Sequence, residues 1–308
     1  MKKTGMLITL ISILVIGGFL VFLRPSDRME GKVTGKLHVV VSMPLLKHLV
    51  SQIGGNAVTV TSIVKGASCN HEYEPTSQDL KQVAGSSLFI KVGMGFDRWV
   101  DELIRTVARP QLLVLDASQG IIPLQEEVEA EHDHEATEAD HHHEGNPHYW
   151  GNPENVKTMA KNILNILIKI LPEHKEQLTQ NYTAYLRELD TVTAELKAKV
   201  AALTDKRIVS YSAAFPYFYQ YFGFENLITV ESTCEQEISP KRLAETARFI
   251  KEQRIQVLVG ETVYPDLPEN LVQETGTKLV LLWPGTNESE DYLATLRENV
   301  EKLVVALQ

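Results

Sequence analysis

The chain has 308 residues, 44 % of them hydrophobic and 23 % charged, enough for two ordinary domains or one large one with a sizeable core. Its formal net charge of -10 is local, because eleven carboxylates and no Lys or Arg fall between Asp116 and Val156; with no basic patch elsewhere, nucleic acid is not an expected partner. Two cysteines, Cys69 and Cys234, are too few for a disulfide scaffold and lack the paired spacing of a structural zinc site, although in an exported chain they could form one bridge.

Lys2 and Lys3 precede an uncharged run from Thr4 to Leu23, closed by Arg24 and Pro25. The run reaches the roughly 20 residues of a membrane-spanning helix and has no small-x-small cleavage site, so residues 1–24 read as a signal anchor, with a cleaved signal peptide as the rival. Either way the body is exported. Residues 25–36 form a polar linker, and the body opens at Leu37–Ser42, a β-branched run that predicts a buried strand. Helical periodicity follows over Pro44–Ile53. Val58–Val64 is a second strand, and Ser77–Ala84 is a short helix with Ser77 expected as its N-cap. Leu88–Val92 is a third strand, Phe96–Ala108 a helix and Leu112–Leu115 a fourth strand, which places residues 37–152 in an N-terminal α/β lobe.

Residues 153–205 contain no strand signal and no glycine; helical spacing runs on from Pro153, is interrupted at Pro172, and resumes over Glu173–Leu203. Alternation returns in residues 206–308, a C-terminal α/β lobe. There Arg207–Ser210, Leu227–Val230, Gln256–Val259 and Lys278–Leu282 are strands, and Phe215–Phe222, Pro240–Gln253, Pro268–Thr275 and Glu290–Leu307 are helices. The fold class is therefore α/β, two lobes with mostly parallel sheets joined through long helix, and a ligand cleft between them.

Inside the N-terminal lobe, residues 126–144 are a histidine- and acid-rich loop. His132, His134, His141, His142 and His143 lie there among nine carboxylates. Imidazole and carboxylate are ligands for borderline divalent metals, and no core is built from such a run. His148 follows in Asn-Pro-His-Tyr-Trp, held between Pro147 and two aromatics, a setting for a ligand or a packed polar group. His71, in the loop after the second strand, reads equally as a loop histidine bonded to backbone. The Gly93-Met94-Gly95 turn lacks the third glycine of a dinucleotide fingerprint, and the chain has no GxSxG, Walker loop or HExxH. The aromatics from Phe215 to Phe222 read as core.

Taken together, the segments LHVVVSMPLLKHLV, HEYEPTSQDL, GMGFDRWVDELI, NPHYWGNP after the histidine-rich loop, SYSAAFPYFYQYFGF, EISPKRLAE and VLVGETVYPDLPENLVQETGTKLVLLWP resemble the zinc and manganese solute-binding proteins of ABC importers, a family of metal-binding lipoproteins and adhesins. The resemblance implies two lobes joined by one long backbone helix, either the first half of residues 153–205 or the whole bent at Pro172, with the metal in the cleft. It implies His71 and His148 as ligands, with Glu261 at an acidic position beside the site. The third and fourth ligand positions align with Ser212 and Trp283, so half of the expected cage is altered; Cys69, Cys234, Glu231 and Glu235 are substitute donors. The expected cargo is Zn2+, with Mn2+ and Fe2+ as alternatives, and the expected partner is the permease of a metal importer. The protein is expected to be a membrane-tethered monomer and not an enzyme. A metal-dependent hydrolase and an adhesin with a lost metal site are the alternatives.

Overall fold

The apolar runs pair into two sheets of the same design. The computed structural model describes residues 35–65, 73–125, 145–230, 238–266, 268–286 and 290–308. Strands β1 (Leu37–Val41), β2 (Val58–Ser62), β3 (Leu88–Lys91) and β4 (Leu113–Asp116) lie in the order β2-β1-β3-β4. Strands β5 (Arg207–Ser210), β6 (Glu225–Thr229), β7 (Val257–Glu261) and β8 (Lys278–Leu282) repeat it as β6-β5-β7-β8. Every ladder is parallel. Parallel strands need helical crossovers that cover both faces, which is why the central strands are continuous apolar runs rather than alternating ones.

Side chains nevertheless divide by period two. Val39 and Val41 of β1 and Val257 and Val259 of β7 join one large core that includes residues of both sheets; Val40 faces a smaller core on the outer side of the first sheet, and Leu258 one on the outer side of the second. The outer core of the first sheet takes Val83 from helix α2 (Ser77–Ala84) and Val100 and Leu103 from α3 (Trp99–Val107). The two lobes therefore share their inner core.

Between the sheets run helix α4 (Pro153–Ile170) and helix α5 (Lys175–Ala201), separated by a turn at Pro172–His174. Asn152 caps α4, its side chain accepting from the Glu154 N–H. Leu178, Tyr185, Leu189, Val192, Leu196 and Val200 form a buried stripe along α5 at helical spacing. That stripe lets α5, about 40 Å long at 1.5 Å per residue, pack against α1 (Pro44–Gly54) of the first lobe and against α6 (Pro216–Phe222) and α9 (Tyr292–Leu307) of the second. Helix α4 packs instead on α1, β4 and α5. The helix shared by both lobes is thus the second half of the helical region, not the first half or one bent whole, because only α5 carries a buried stripe long enough to reach both.

Several boundaries differ from the sequence reading by one or a few residues, and three of them are instructive. Thr76, not Ser77, caps α2: its hydroxyl accepts from Asp79 N while the Asp79 carboxylate accepts from Thr76 N at 2.8 Å, a reciprocal box that draws the helix start one residue back. Helix α3 begins at Trp99 rather than Phe96, because the buried Asp97 carboxylate accepts from Val92 N at 2.7 Å and Gly93 N at 2.9 Å and holds the preceding residues in a turn. Gly93, Met94 and Gly95 all have positive φ in that turn, and a Cβ at Gly93 would lie 1.9 Å from Asp116 Oδ1. Strand β6 starts at Glu225, two residues early, beside a register shift between Ile208 and Ser210.

One buried polar pair marks the junction of the lobes. His48 on α1 packs edge-on to the Tyr185 ring of α5 at 5.7 Å between centroids, and its Nε2 has no hydrogen-bond partner among the described residues, nor has the Tyr185 hydroxyl. Around it stand Lys47, paired with Glu290 at 2.5 Å, and Asp291, the N-cap of α9. Burial lowers the His48 pKa, and Asp291 opposes this in part. The folded state thus favours neutral imidazole, whereas an unfolded histidine titrates near 6.5. Below that pH the unfolded chain binds the extra proton, so stability is fully present above about pH 6.5 and is lost as pH falls toward the folded pKa, with a slope of at most about 1.4 kcal/mol per pH unit. Denaturant unfolding of wild type and His48→Phe across pH 5 to 8 is expected to show this acid slope reduced in the variant.

Candidate metal centre

In doubly wound sheets, ligands bind beyond the carboxyl ends of the strands where the strand order reverses. In the second sheet that point lies between β5 and β7. Ser212 stands two residues past β5 and Glu261 is the last residue of β7, so the topology brings them to one edge. The Ser212 hydroxyl donates to Glu261 Oε1 and accepts from Ala214 N at 3.0 Å. The turn is fixed further by Ser210, whose Oγ donates to the Ser212 carbonyl at 2.8 Å and meets the Tyr219 hydroxyl at 2.9 Å.

The Asn146–Gly151 segment is fastened to both sheets. The Tyr149 hydroxyl donates to the Val92 carbonyl at 2.6 Å, beyond the end of β3. Asn146 Nδ2 donates to the Ala213 carbonyl at 2.8 Å, beyond β5, and the Trp150 indole N–H donates to the Pro284 carbonyl at 2.7 Å, beyond β8. Tyr217 donates to the Asn146 carbonyl at 2.9 Å and Tyr292 to the Trp150 carbonyl at 2.7 Å. Tyr149 and Tyr292 are almost fully buried, and burial raises both phenols well above their ordinary pKa, so they remain protonated donors. Gly151 is required by closeness: a Cβ there would lie 3.0 Å from the Phe218 backbone nitrogen.

His148 is half-buried in this segment, edge-on to Phe96 at 5.5 Å and to Trp150 at 5.3 Å. Its orientation follows from Asn146. Because Asn146 Nδ2 gives its proton to Ala213, Oδ1 is the oxygen, and it accepts from His148 N at 2.9 Å and faces His148 Nδ1 at 3.2 Å. An acceptor opposite Nδ1 assigns the proton of the neutral ring to Nδ1, which leaves the Nε2 lone pair as the donor.

The other predicted residues divide. Trp283, one residue past β8, is not presented as a donor: its indole N–H donates to Glu298 Oε1 at 2.8 Å, its backbone N–H donates to Asn299 Oδ1 at 3.0 Å, and Lys302 lies 6.0 Å from its ring. His71 and Cys69 fall in residues 66–72, Glu231, Cys234 and Glu235 in residues 231–237, and His132, His134, His141, His142 and His143 in residues 126–144; all lie outside the described residues. Among the described residues no group of three or more His, Cys, Asp and Glu side chains is placed to hold an ion. The aromatics of α6 are buried as expected except Tyr221, which is half-buried, and Tyr217 also pins Asn146, a role sequence reasoning missed. Its only signal is that a buried phenol must find a partner.

Comparison with known proteins agrees with this architecture. The family model described as zinc-uptake complex component A, periplasmic (ZnuA) matches residues 39–306. The zinc-binding lipoprotein AdcA of Streptococcus pneumoniae (strain ATCC BAA-255 / R6) is 25% identical over 277 residues, covering 87% of this chain and 55% of that protein. This chain thus spans about half the length of the AdcA proteins it matches. A putative metal-binding protein of Treponema pallidum (strain Nichols) is 25% identical over 274 residues, covering 88% of this chain and 87% of that one. Among solved structures, a crystal structure of ZnuA superposes with a TM-score of 0.77 at 26% identity, covering 89% of this chain and 100% of that one. With the model match running over nearly all of the body, the chain belongs to the ZnuA family of zinc-uptake components.

Proposed function

We propose that this protein captures a divalent transition metal outside the cytoplasm, zinc before manganese, and delivers it to the permease of an ABC importer. The observation that carries this reading is the setting of His148: a ring oriented at Nδ1 by Asn146, on a segment bonded beyond β3, β5 and β8. His71, from the loop after β2, and Glu261, at the end of β7, complete a set of two imidazoles and one carboxylate. That set suits zinc and leaves its fourth position to water or a small anion. Trp283 is engaged with Glu298 and contributes packing.

The comparisons support the reading by what the relatives are called. AdcA is a zinc-binding lipoprotein, one ZnuA structure at 25% identity is described with zinc bound, and the family model names a periplasmic component. These are names of metal-binding proteins, so the hydrolase and an adhesin that has lost its metal site are not favoured. Among the described residues no helix is long and apolar enough to cross a membrane; the apolar run over residues 4–23 lies outside them, and as anchor or signal it supports export. The 126–144 loop acts as an accessory collector of metal, and the chain works as a monomer.

Two measurements test this. Competition titration with a zinc-binding fluorophore is expected to show His148→Ala losing more than the about 10–100-fold that Asn146→Ala costs, since the first removes a ligand and the second only its orienting partner. Trp283→Phe is expected to bind as wild type. Metal content after dialysis is expected to stay at about one ion per chain when residues 126–144 are deleted, because a tetrahedral site of this kind holds a single zinc.

A further inference from the structure

We propose that Ser212 is a positioning residue, which fixes Glu261 as the ligand that the second lobe contributes to the metal. This rests on the function proposed above and adds a role that the alignment of Ser212 with a ligand position does not predict. A serine hydroxyl has one proton and two lone pairs. Ala214 N–H can only donate, so it takes one lone pair of Oγ, and the proton points at Glu261 Oε1. A neutral hydroxyl whose proton is committed to a carboxylate is a poor zinc ligand. It is a good clamp for that carboxylate.

The clamp is rigid. Ser212 is only 7% exposed, its carbonyl is held by Ser210 Oγ, and Ser210 Oγ in turn meets the buried Tyr219 hydroxyl. Tyr211 N donates to the Val259 carbonyl at 2.7 Å, which ties the start of this turn to β7, the strand that ends in Glu261. Ser212 and Glu261 therefore keep their relative position through backbone as well as side chain. A carboxylate offers about four lone-pair sites, of which a single serine proton occupies one. Outer-shell partners of this kind fix ligand orientation and typically carry a factor of about 10–100 in affinity.

The test is a double-mutant cycle on the whole exported body, with Zn2+ as the probe and a competing fluorescent chelator as the readout. Ser212→Ala is expected to weaken zinc binding by about 10–100-fold and Glu261→Gln by at least as much, and the double variant is expected to be no weaker than Glu261→Gln, because the serine acts only through the glutamate. Ser212→Thr, which keeps the hydroxyl, is expected to restore affinity to within a few-fold of wild type, which loss of packing alone would not do. Unchanged affinity in Ser212→Ala, or additive losses in the double variant, would overturn the positioning role. A wild type that binds no Zn2+ would overturn the function itself, and His148→Ala run alongside separates the cases: weakened by that change and indifferent to Ser212→Ala, the protein is a metal binder in which Ser212 has no part.

Discussion

The structure depends on how one short segment, Asn146 to Trp150, is bonded to the ends of three strands at once. Tyr149 reaches the backbone beyond β3, Asn146 the backbone beyond β5 and Trp150 the backbone beyond β8. The Val92 carbonyl would otherwise be a buried backbone acceptor, at a cost of about 1–3 kcal/mol when left without a partner. The segment bonds to all three strand ends and receives in return hydrogen bonds from Tyr217 and Tyr292 to its own carbonyls. His148 is placed by this arrangement together with its own contacts to Asn146, Phe96 and Trp150. Its ring is aimed by the same asparagine that ties the segment to the second sheet, so a shift of one lobe against the other would reach the ring directly.

The shared core sets how large such a shift can be. The inner faces of both sheets, α4, α5 and α9 enclose one continuous apolar cluster, and α5 packs on helices of both lobes. Separating the lobes by a wide hinge would expose that cluster at about 25 cal/mol per Å2 of apolar surface. Small rotations within a packed interface avoid that cost, whereas opening would not. The His48–Tyr185 contact lies in the same junction, with Lys47 and Glu290 joining α1 to the entry of α9. On the proposed function, metal capture in this body proceeds by small adjustments around a packed frame rather than by wide opening of the lobes.

The periodic features were legible in the sequence. β-Branched runs such as Leu37–Val41 and Val257–Val259 announce buried strands, and the apolar stripe of α5 announces a long helix; the alternation of the two gives parallel sheets. Ends of elements were less legible, because Thr76 and Asp97 act through side-chain bonds to nearby backbone that leave no period. The site was half legible. His148 stands out by its neighbours in sequence, but the pairing of Ser212 with Glu261 spans 49 residues and that of Trp150 with Pro284 spans 134, and no local pattern encodes such distances. Ser212 reads in isolation as a lost ligand; only the turn after β5 turns it into a partner for Glu261.

The central claim is that His148 Nε2, oriented by Asn146, is a ligand at the seam of the two lobes. Diffraction from zinc-loaded crystals recorded on both sides of the zinc absorption edge tests it most directly. An anomalous peak is expected about 2.0–2.1 Å from His148 Nε2, with Nδ1 still on Asn146 and Glu261 turned to the same ion. A peak bound through Nδ1, or one at which neither His148 nor Glu261 takes part, would contradict it.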